Sequence, residues 1–320
     1  MPIGLGLGST HNGFMINKEV QGWHDYYQRL IRGNPQPAAA ALETDEVIAD
    51  YIRRVDHSFD VLRAQIAAYD PELMIIIGGD QAETFDRSNV PNLMIFLGEE
   101  MWGHSVAMGI EKSEETEVRL KVDVETSTRL LNDLVTREGF DVAFSSAQEP
   151  LGSAGTRGTG MSHAFARPAP FLMQRTNLPT VLIYENTYDP PSLSAARCYE
   201  LGQALAKLLE NDPRRIAILG SGGLSHDPGG PRSGWVDEQL DRWFLDQIAA
   251  GNGEATKSLY KFDSMTMRSG TGEIRSWVTV AGAMERSGSR AEVVDYMPAN
   301  HAVTGIGFAY WPTVDTAVAT

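Results

Sequence analysis

Cysteine is nearly absent: Cys198 is the only one among 320 residues. A single thiol excludes an intramolecular disulfide and a thiolate metal cage, and it fits a reducing cytoplasm. Cys198 lies in "SAARCYELGQALAKLL", a helical pattern, so it reads as a buried core thiol. Positive charge is scarce as well: 27 Lys and Arg stand against 42 Asp and Glu, a formal net charge of -15. That argues against a nucleic-acid footprint and against attraction to anionic lipid; an anionic ligand would need a local Arg or Lys cluster. No apolar run approaches the about 18 residues of a membrane span. The start, "MPIGLGLGSTHNGF", lacks the basic segment and long apolar core of a secretory leader. Internal repeats and low-complexity tracts are also missing. The expectation is a cytoplasmic protein with no membrane and no nucleic-acid partner.

What is present is an ordinary globular composition, 42% hydrophobic and 22% charged, with ample length for a buried core. "IGLGLGST" reads as a first strand closing on glycines, and residues 13–43 read as irregular. "TDEVIADYIRRVDHSFDVLRAQIAAYDPE" predicts a long helix capped by Thr44, with Ile48, Ile52, Val55, Phe59, Leu62 and Ile66 on one face. "LMIII" then predicts a strand buried on both sides. Strands at "NLMIFLG", "DVAFSSA", "LPTVLIYENTY" and "RRIAILGSGGLSH" alternate with helices at "TSTRLLNDLVTREG", "LSAARCYELGQALAKLLEN", "SGWVDEQLDRWFLDQIAAG" and "GTGEIRSWVTVAGAME". The alternation predicts an α/β fold, a mostly parallel or mixed sheet with helices on both faces. No linker is evident, so residues 1–320 read as one domain.

Several predicted strands end in glycine and then a polar group: His11 after "LGST", Asp80 and Gln81 after "IGG", His226 after "LGSGGLS". The carboxyl edge of an open α/β sheet is where ligands bind. "GSGGLSHDPGG" lacks the spacing of a phosphate-binding glycine loop, and "GLSHD" lacks that of a nucleophile elbow. Of seven histidines, His11, His163 and His226 sit best, each beside small residues near a strand end or loop. Glu273 opens a predicted helix. Neutral imidazoles with one carboxylate make a donor set for a divalent metal, and the two-His-one-carboxylate triad suits non-haem Fe(II).

These pieces, in order, resemble the class III (LigB-type) extradiol ring-cleavage dioxygenases, and most of all the 3-O-methylgallate dioxygenase-like branch. The resemblance runs through "GLGSTH", "PELMIIIGGDQAETF", "FDVAFSS", "SHAF", "NTYDPPSLSAARCYELGQAL", "GSGGLSH", "DEQLDRWFLD", "SGTGEIRSWV" and "DYMPANHAVTGIGFAYW". It implies an Fe(II)-dependent enzyme that opens a catechol-like ring, carboxylated or methoxylated among the options, with O2. It also implies a homodimer or higher homo-oligomer. A catalytically inactive or regulatory subunit of the same fold, and a metal-dependent hydrolase, are the alternatives. By resemblance, His11 and Glu273 are metal ligands, His226 is the acid/base near the substrate hydroxyls, and His163 is a second pocket histidine.

The chain departs from the family where a second metal histidine should follow Asp80: Gln81 stands there. Three readings stay open: another histidine ligates, Gln81 ligates directly or through water, or the site is degenerate. His57 is the substitute favoured by depth. Five residues of strand rise roughly 17 Å, matched by about eleven helix residues at 1.5 Å each, which brings His57 level with the strand end. It shares a face with Val61, Ala64 and Ala68, expected to be buried. Asp80 and Gln81 remain substrate contacts or alternative ligands. Arg157, Arg167, Arg232 and Arg268 are the arginines considered for reading a substrate carboxylate.

Overall fold

A computed structural model describes residues 3–85, 87–106, 113–147, 160–173, 177–262 and 264–314. Its strands are β1 (Ile3–Ser9), β2 (Leu73–Gly78), β3 (Leu93–Phe96), β4 (Glu100–His104), β5 (Glu117–Lys121), β6 (Ala143–Ser145), β7 (Thr180–Glu185), β8 (Ile216–Ser221), β9 (Glu292–Ala299) and β10 (Thr304–Trp311). Its α-helices are α1 (Val20–Ile31), α2 (Asp45–Tyr69), α3 (Val124–Thr136), α4 (His163–Ala166), α5 (Pro168–Leu172), α6 (Ala195–Leu208), α7 (Glu238–Ala249) and α8 (Ile274–Glu285). Eight strands form one sheet in the order β6-β3-β7-β2-β8-β1-β10-β9, and β4 and β5 form a separate ribbon. The central four, β7, β2, β8 and β1, are parallel. β3, β10 and β9 join antiparallel to their inner neighbours. The sheet is therefore mixed, with helices on both faces.

β2 shows why the centre holds. "LMIIIG" is buried at every position. Met74 and Ile76 point into one core with Phe59 and Leu62 of α2. Ile75 and Ile77 point into the other with Leu201, Leu205 and Val280 of α6 and α8. Alternation by two sends neighbours to opposite faces, and each fully buried side chain contributes about 1.5–3 kcal/mol.

α2 follows its predicted stripe: Ile48, Val55, Phe59 and Leu62 are buried, while Ile52 and Ile66 are partly covered. Thr44 is the N-cap residue, although its side chain makes no capping bond to the helix backbone. Two expectations need correcting. Residues 13–43 are not irregular throughout, because α1 occupies Val20–Ile31 and buries Trp23, Tyr26, Tyr27 and Ile31. And the helix at "GTGEIRSWVTVAGAME", the last element expected from the sequence, is not the last: β9 and β10 follow α8 as a hairpin that extends the sheet beyond β1.

Glu185, at the end of β7, is a fully buried acid. Thr279 Oγ1 donates to its Oε1 at 2.6 Å, while Oε2 has no partner. Burial, only partly offset by the Thr279 bond and Arg275, pushes its carboxyl up to about 7. The folded pKa lies above the unfolded value, so the contribution is fully present below the unfolded pKa and is lost as pH rises through 7. That loss is about 3 kcal/mol by linkage. Glu185→Gln removes the titration; its thermal midpoint is expected to exceed the wild type's near pH 8 by more than it does near pH 4. An unchanged difference between the two pH values contradicts this.

Candidate metal centre

Four parallel strands end on the same edge, and the chain leaves each of them into the site. β1 delivers His11, β2 delivers Asp80 and Gln81, β7 delivers Tyr188, and β8 delivers the turn from Gly222 to His226. Glu273 comes from the single turn just before α8 and is that helix's N-cap residue. His163 opens α4; the Ser162 side chain caps that turn and donates to Gly79 O at 2.7 Å, tying it to the end of β2.

Hydrogen bonds fix the imidazole tautomers. Ser221 Oγ donates its one hydrogen to Ala164 O at 2.6 Å, so at 2.9 Å from His11 Nδ1 it accepts. His11 Nε2 is then left without a proton. It is enclosed, has no hydrogen-bond partner, and lies 3.3 Å from Glu273 Oε1. His226 Nδ1 faces Leu224 O at 2.8 Å; a carbonyl only accepts, so His226 in its neutral form also carries a bare Nε2. That nitrogen lies 3.6 Å from Glu273 Oε2 and 3.3 Å from Tyr188 Oη.

Glu273 is almost wholly buried. Gly223 N–H donates to its Oε2 at 2.7 Å and Tyr188 O–H to its Oε1 at 2.9 Å. Burial pushes its carboxyl up, but His11 and then His226, when protonated, outweigh that and hold it well below the carboxylate range. The His163 ring stands edge-on to that of His11, centroids 4.6 Å apart, with its Nδ1 bonded to Glu83 Oε1. Burial first, against the pull of Glu83, brings the His163 imidazole down to about 4.

One ligand atom each from His11, His163 and Glu273 lies within 4.8 Å of the others, and all three residues are buried. A bare, unpartnered imidazole nitrogen beside an ionised carboxylate fits a cation, and two nitrogens with one oxygen fit a borderline divalent metal.

The structure brings together His11, His163, His226 and Glu273, but not His57. His57 is exposed on α2, as are Ala64 and Ala68 on the same face. His57 therefore faces away from the site, on the solvated side of the helix. Asp80 is not available as a ligand either: its carboxylate accepts N–H groups of Glu83, Thr84 and Phe85 and shapes the turn. Gln81 Nε2 donates to Tyr188 Oη, which places the amide at the rim of the site. Tyr188, Ser221 and Glu83 were not singled out in the sequence. Tyr188 was reachable, because it follows β7 at the same edge as the others.

A cavity of about 140 Å³ opens beside the cluster, lined by His11, His163, His226 and Gln81 and by Arg29, Arg32 and Arg167. Arg167 follows α4. Among the described residues its Nε is enclosed without a partner, and its other nitrogens reach only backbone oxygens, at 3.4 and 3.5 Å. None of the three forms a carboxylate ion pair among the described residues. Arg232 and Arg268 line neighbouring hollows, and Arg157 lies outside the described residues.

The turn after β8 has little room. Gly222 has φ +128°, and a Cβ there would lie 2.6 Å from Glu273 Oε2; a Cβ on Gly270 would lie 2.2 Å from His226 Nε2. Gly222→Ala is expected to cost about 1–3 kcal/mol through backbone strain alone, read as a lower thermal midpoint of the metal-free protein. A midpoint equal to the wild type's contradicts the strain.

An α/β sheet that gathers two imidazoles and a carboxylate at its carboxyl edge, with a third imidazole alongside, defines the class: a candidate mononuclear metal centre beside a small cavity. The chain belongs to a specific family. The family model described as the catalytic LigB subunit of aromatic ring-opening dioxygenase matches residues 37–309. A 2,3-dihydroxyphenylpropionate/2,3-dihydroxicinnamic acid 1,2-dioxygenase of Photorhabdus laumondii is 29% identical over 218 residues, 68% of this chain and 62% of its own length. One of Burkholderia vietnamiensis is 24% identical over 280 residues, 73% of this chain and 82% of its own. The chain thus spans under two thirds of the Photorhabdus relative. A solved structure of an uncharacterized Escherichia coli K12 protein covers 96% of the chain at 11% identity, with a TM-score of 0.49. Among the described residues no helix is long and apolar enough to cross a membrane.

Proposed function

We propose that the whole chain is one Fe(II)-dependent extradiol dioxygenase domain that opens the ring of a carboxylated catechol with O2. The observation that carries this is the convergence of bare His11 Nε2, ionised Glu273 and His163 on one point beside His226. Family membership supports the reaction type. His11, His163 and Glu273 would hold the metal. When bound, it templates the aromatic diol and O2 and transfers electron density between them. His163, expected by resemblance as a second pocket histidine, thus takes a ligand role in this reading.

The remaining work falls to residues of the chain. His226, its Nδ1–H anchored on Leu224 O, offers Nε2 to take a proton from a substrate hydroxyl and later return it. Tyr188, bonded to Glu273 and Gln81, fixes the carboxylate's orientation and closes that wall. Arg167, with Arg29 and Arg32 at the rim, suits a substrate carboxylate: a guanidinium without an acidic partner, in a chain of net charge -15, favours an anion.

Anaerobic loading with Fe(II), then O2 uptake with a panel of catechols, tests the reading. Uptake that depends on both the metal and a carboxylated catechol is expected. Bound metal with no uptake for any catechol contradicts it.

A further inference from the structure

We propose that Glu83 is a positioning residue of the metal centre, fixing His163 as the imidazole ligand in the place left by the amide of Gln81. The proposal rests on the reading of His11, His163 and Glu273 as the metal set.

Glu83 is buried, and both oxygens of its carboxylate accept hydrogen bonds. Oε1 accepts from the ring Nδ1 of His163 and from the His163 backbone N–H at 3.3 Å; Oε2 accepts from Gln81 N–H at 3.1 Å. An ionised carboxylate has no hydrogen to give, so Nδ1 carries the proton and Nε2 is bare. The same side chain therefore sets the tautomer, the ring plane and the backbone position of His163. It also links α4 to the turn that follows β2. Asp80 holds that turn through the N–H groups of residues 83, 84 and 85, and Ser162 fastens it to Gly79 O.

A purely structural role accounts poorly for this choice. Burying a carboxylate is costly, and a buried charged pair is commonly no more stable than apolar residues of equal volume. Among the described residues Glu83 forms its ion pair with His163 and with no Arg or Lys. An imidazole whose second nitrogen donates to a carboxylate is a better oriented and more basic metal ligand. Gln81 donates its Nε2–H to Tyr188 Oη.

The test is titration of the full metal-free chain with Co(II) under nitrogen, following affinity and the visible ligand-field spectrum. Glu83→Ala is expected to weaken Co(II) binding by about 10–100-fold and to alter the spectrum. Glu83→Gln keeps an oxygen for Nδ1–H and is expected to retain most of the affinity; His163→Ala is expected to lose more than either. Glu83→Asp, which withdraws the acceptor from the ring, serves if Glu83→Ala fails to fold; circular dichroism of the metal-free proteins decides which is used. Wild-type affinity and spectrum in the folded variant overturn the proposal. If His11→Ala and Glu273→Ala abolish binding while His163→Ala does not, the Glu83 proposal alone fails. If none of the three affects binding, the metal-set reading fails with it.

Discussion

His226→Ala lowers turnover by about 10²–10⁴-fold, the usual worth of a positioned general base, and leaves the metal content unchanged. The two halves of this prediction come from different bonds. His226 lies outside the set that can share one ion. Its Nε2 lies 3.6 Å from Glu273 Oε2. Its anchors are local: Leu224 O holds Nδ1, Thr271 Oγ1 accepts its backbone N–H at 3.1 Å, and Ser225 before it is fastened to Asp241 at 2.8 and 2.9 Å. A residue held so firmly, with one nitrogen left bare over a cavity, suits proton transfer. Steady-state kinetics with metal analysis of the same samples checks it. A variant that loses metal and activity together would make His226 a ligand instead; full activity would remove it from the chemistry.

Arg167→Met lowers kcat/KM for a carboxylated catechol by about ten- to a hundredfold, the worth of a charge-assisted hydrogen bond of about 1.5–3 kcal/mol. It leaves an uncharged catechol nearly unaffected. The same variant is expected to be at least as thermally stable as the wild type. Arg167 is enclosed at Nε, and burial holds its guanidinium below the ordinary pKa of arginine. Among the described residues its nitrogens meet only two long backbone contacts. Taking a cation out of water without an acidic partner costs stability, so removing it returns some. Opposite signs for binding and stability mark a site residue, because a structural arginine would lose both. Equal losses for charged and uncharged catechols would contradict the assignment.

The fold was legible where periodicity was strong. "LMIII" could only be a strand covered on both faces, and the α2 stripe is buried as predicted apart from Ile52 and Ile66, which are partly covered. α1 was missed because Gly22 and a scatter of Tyr, His and Gln hide its apolar side, which is closed by aromatic rings: Trp23 against Phe14 and Tyr51. β9 and β10 were missed because Pro298 and repeated glycines break the pattern, while their register comes from β1, remote in sequence.

At the site, the carboxyl-edge rule located His11, Gln81 and His226. It could not settle the second metal histidine, because that depends on rotation. His57 and the buried stripe share one helix, and about 100° per residue separates a lining side chain from a solvated one. Glu83 was invisible for another reason: its partner, His163, comes from a segment 80 residues away.

Ring opening by dioxygen at this centre is what the proposed function requires. The most direct measurement is mass spectrometry of the product formed by the Fe(II)-loaded protein from a carboxylated catechol under ¹⁸O2. A ring-opened product carrying both atoms of one dioxygen molecule is expected. A ring-opened product that carries no ¹⁸O would contradict it.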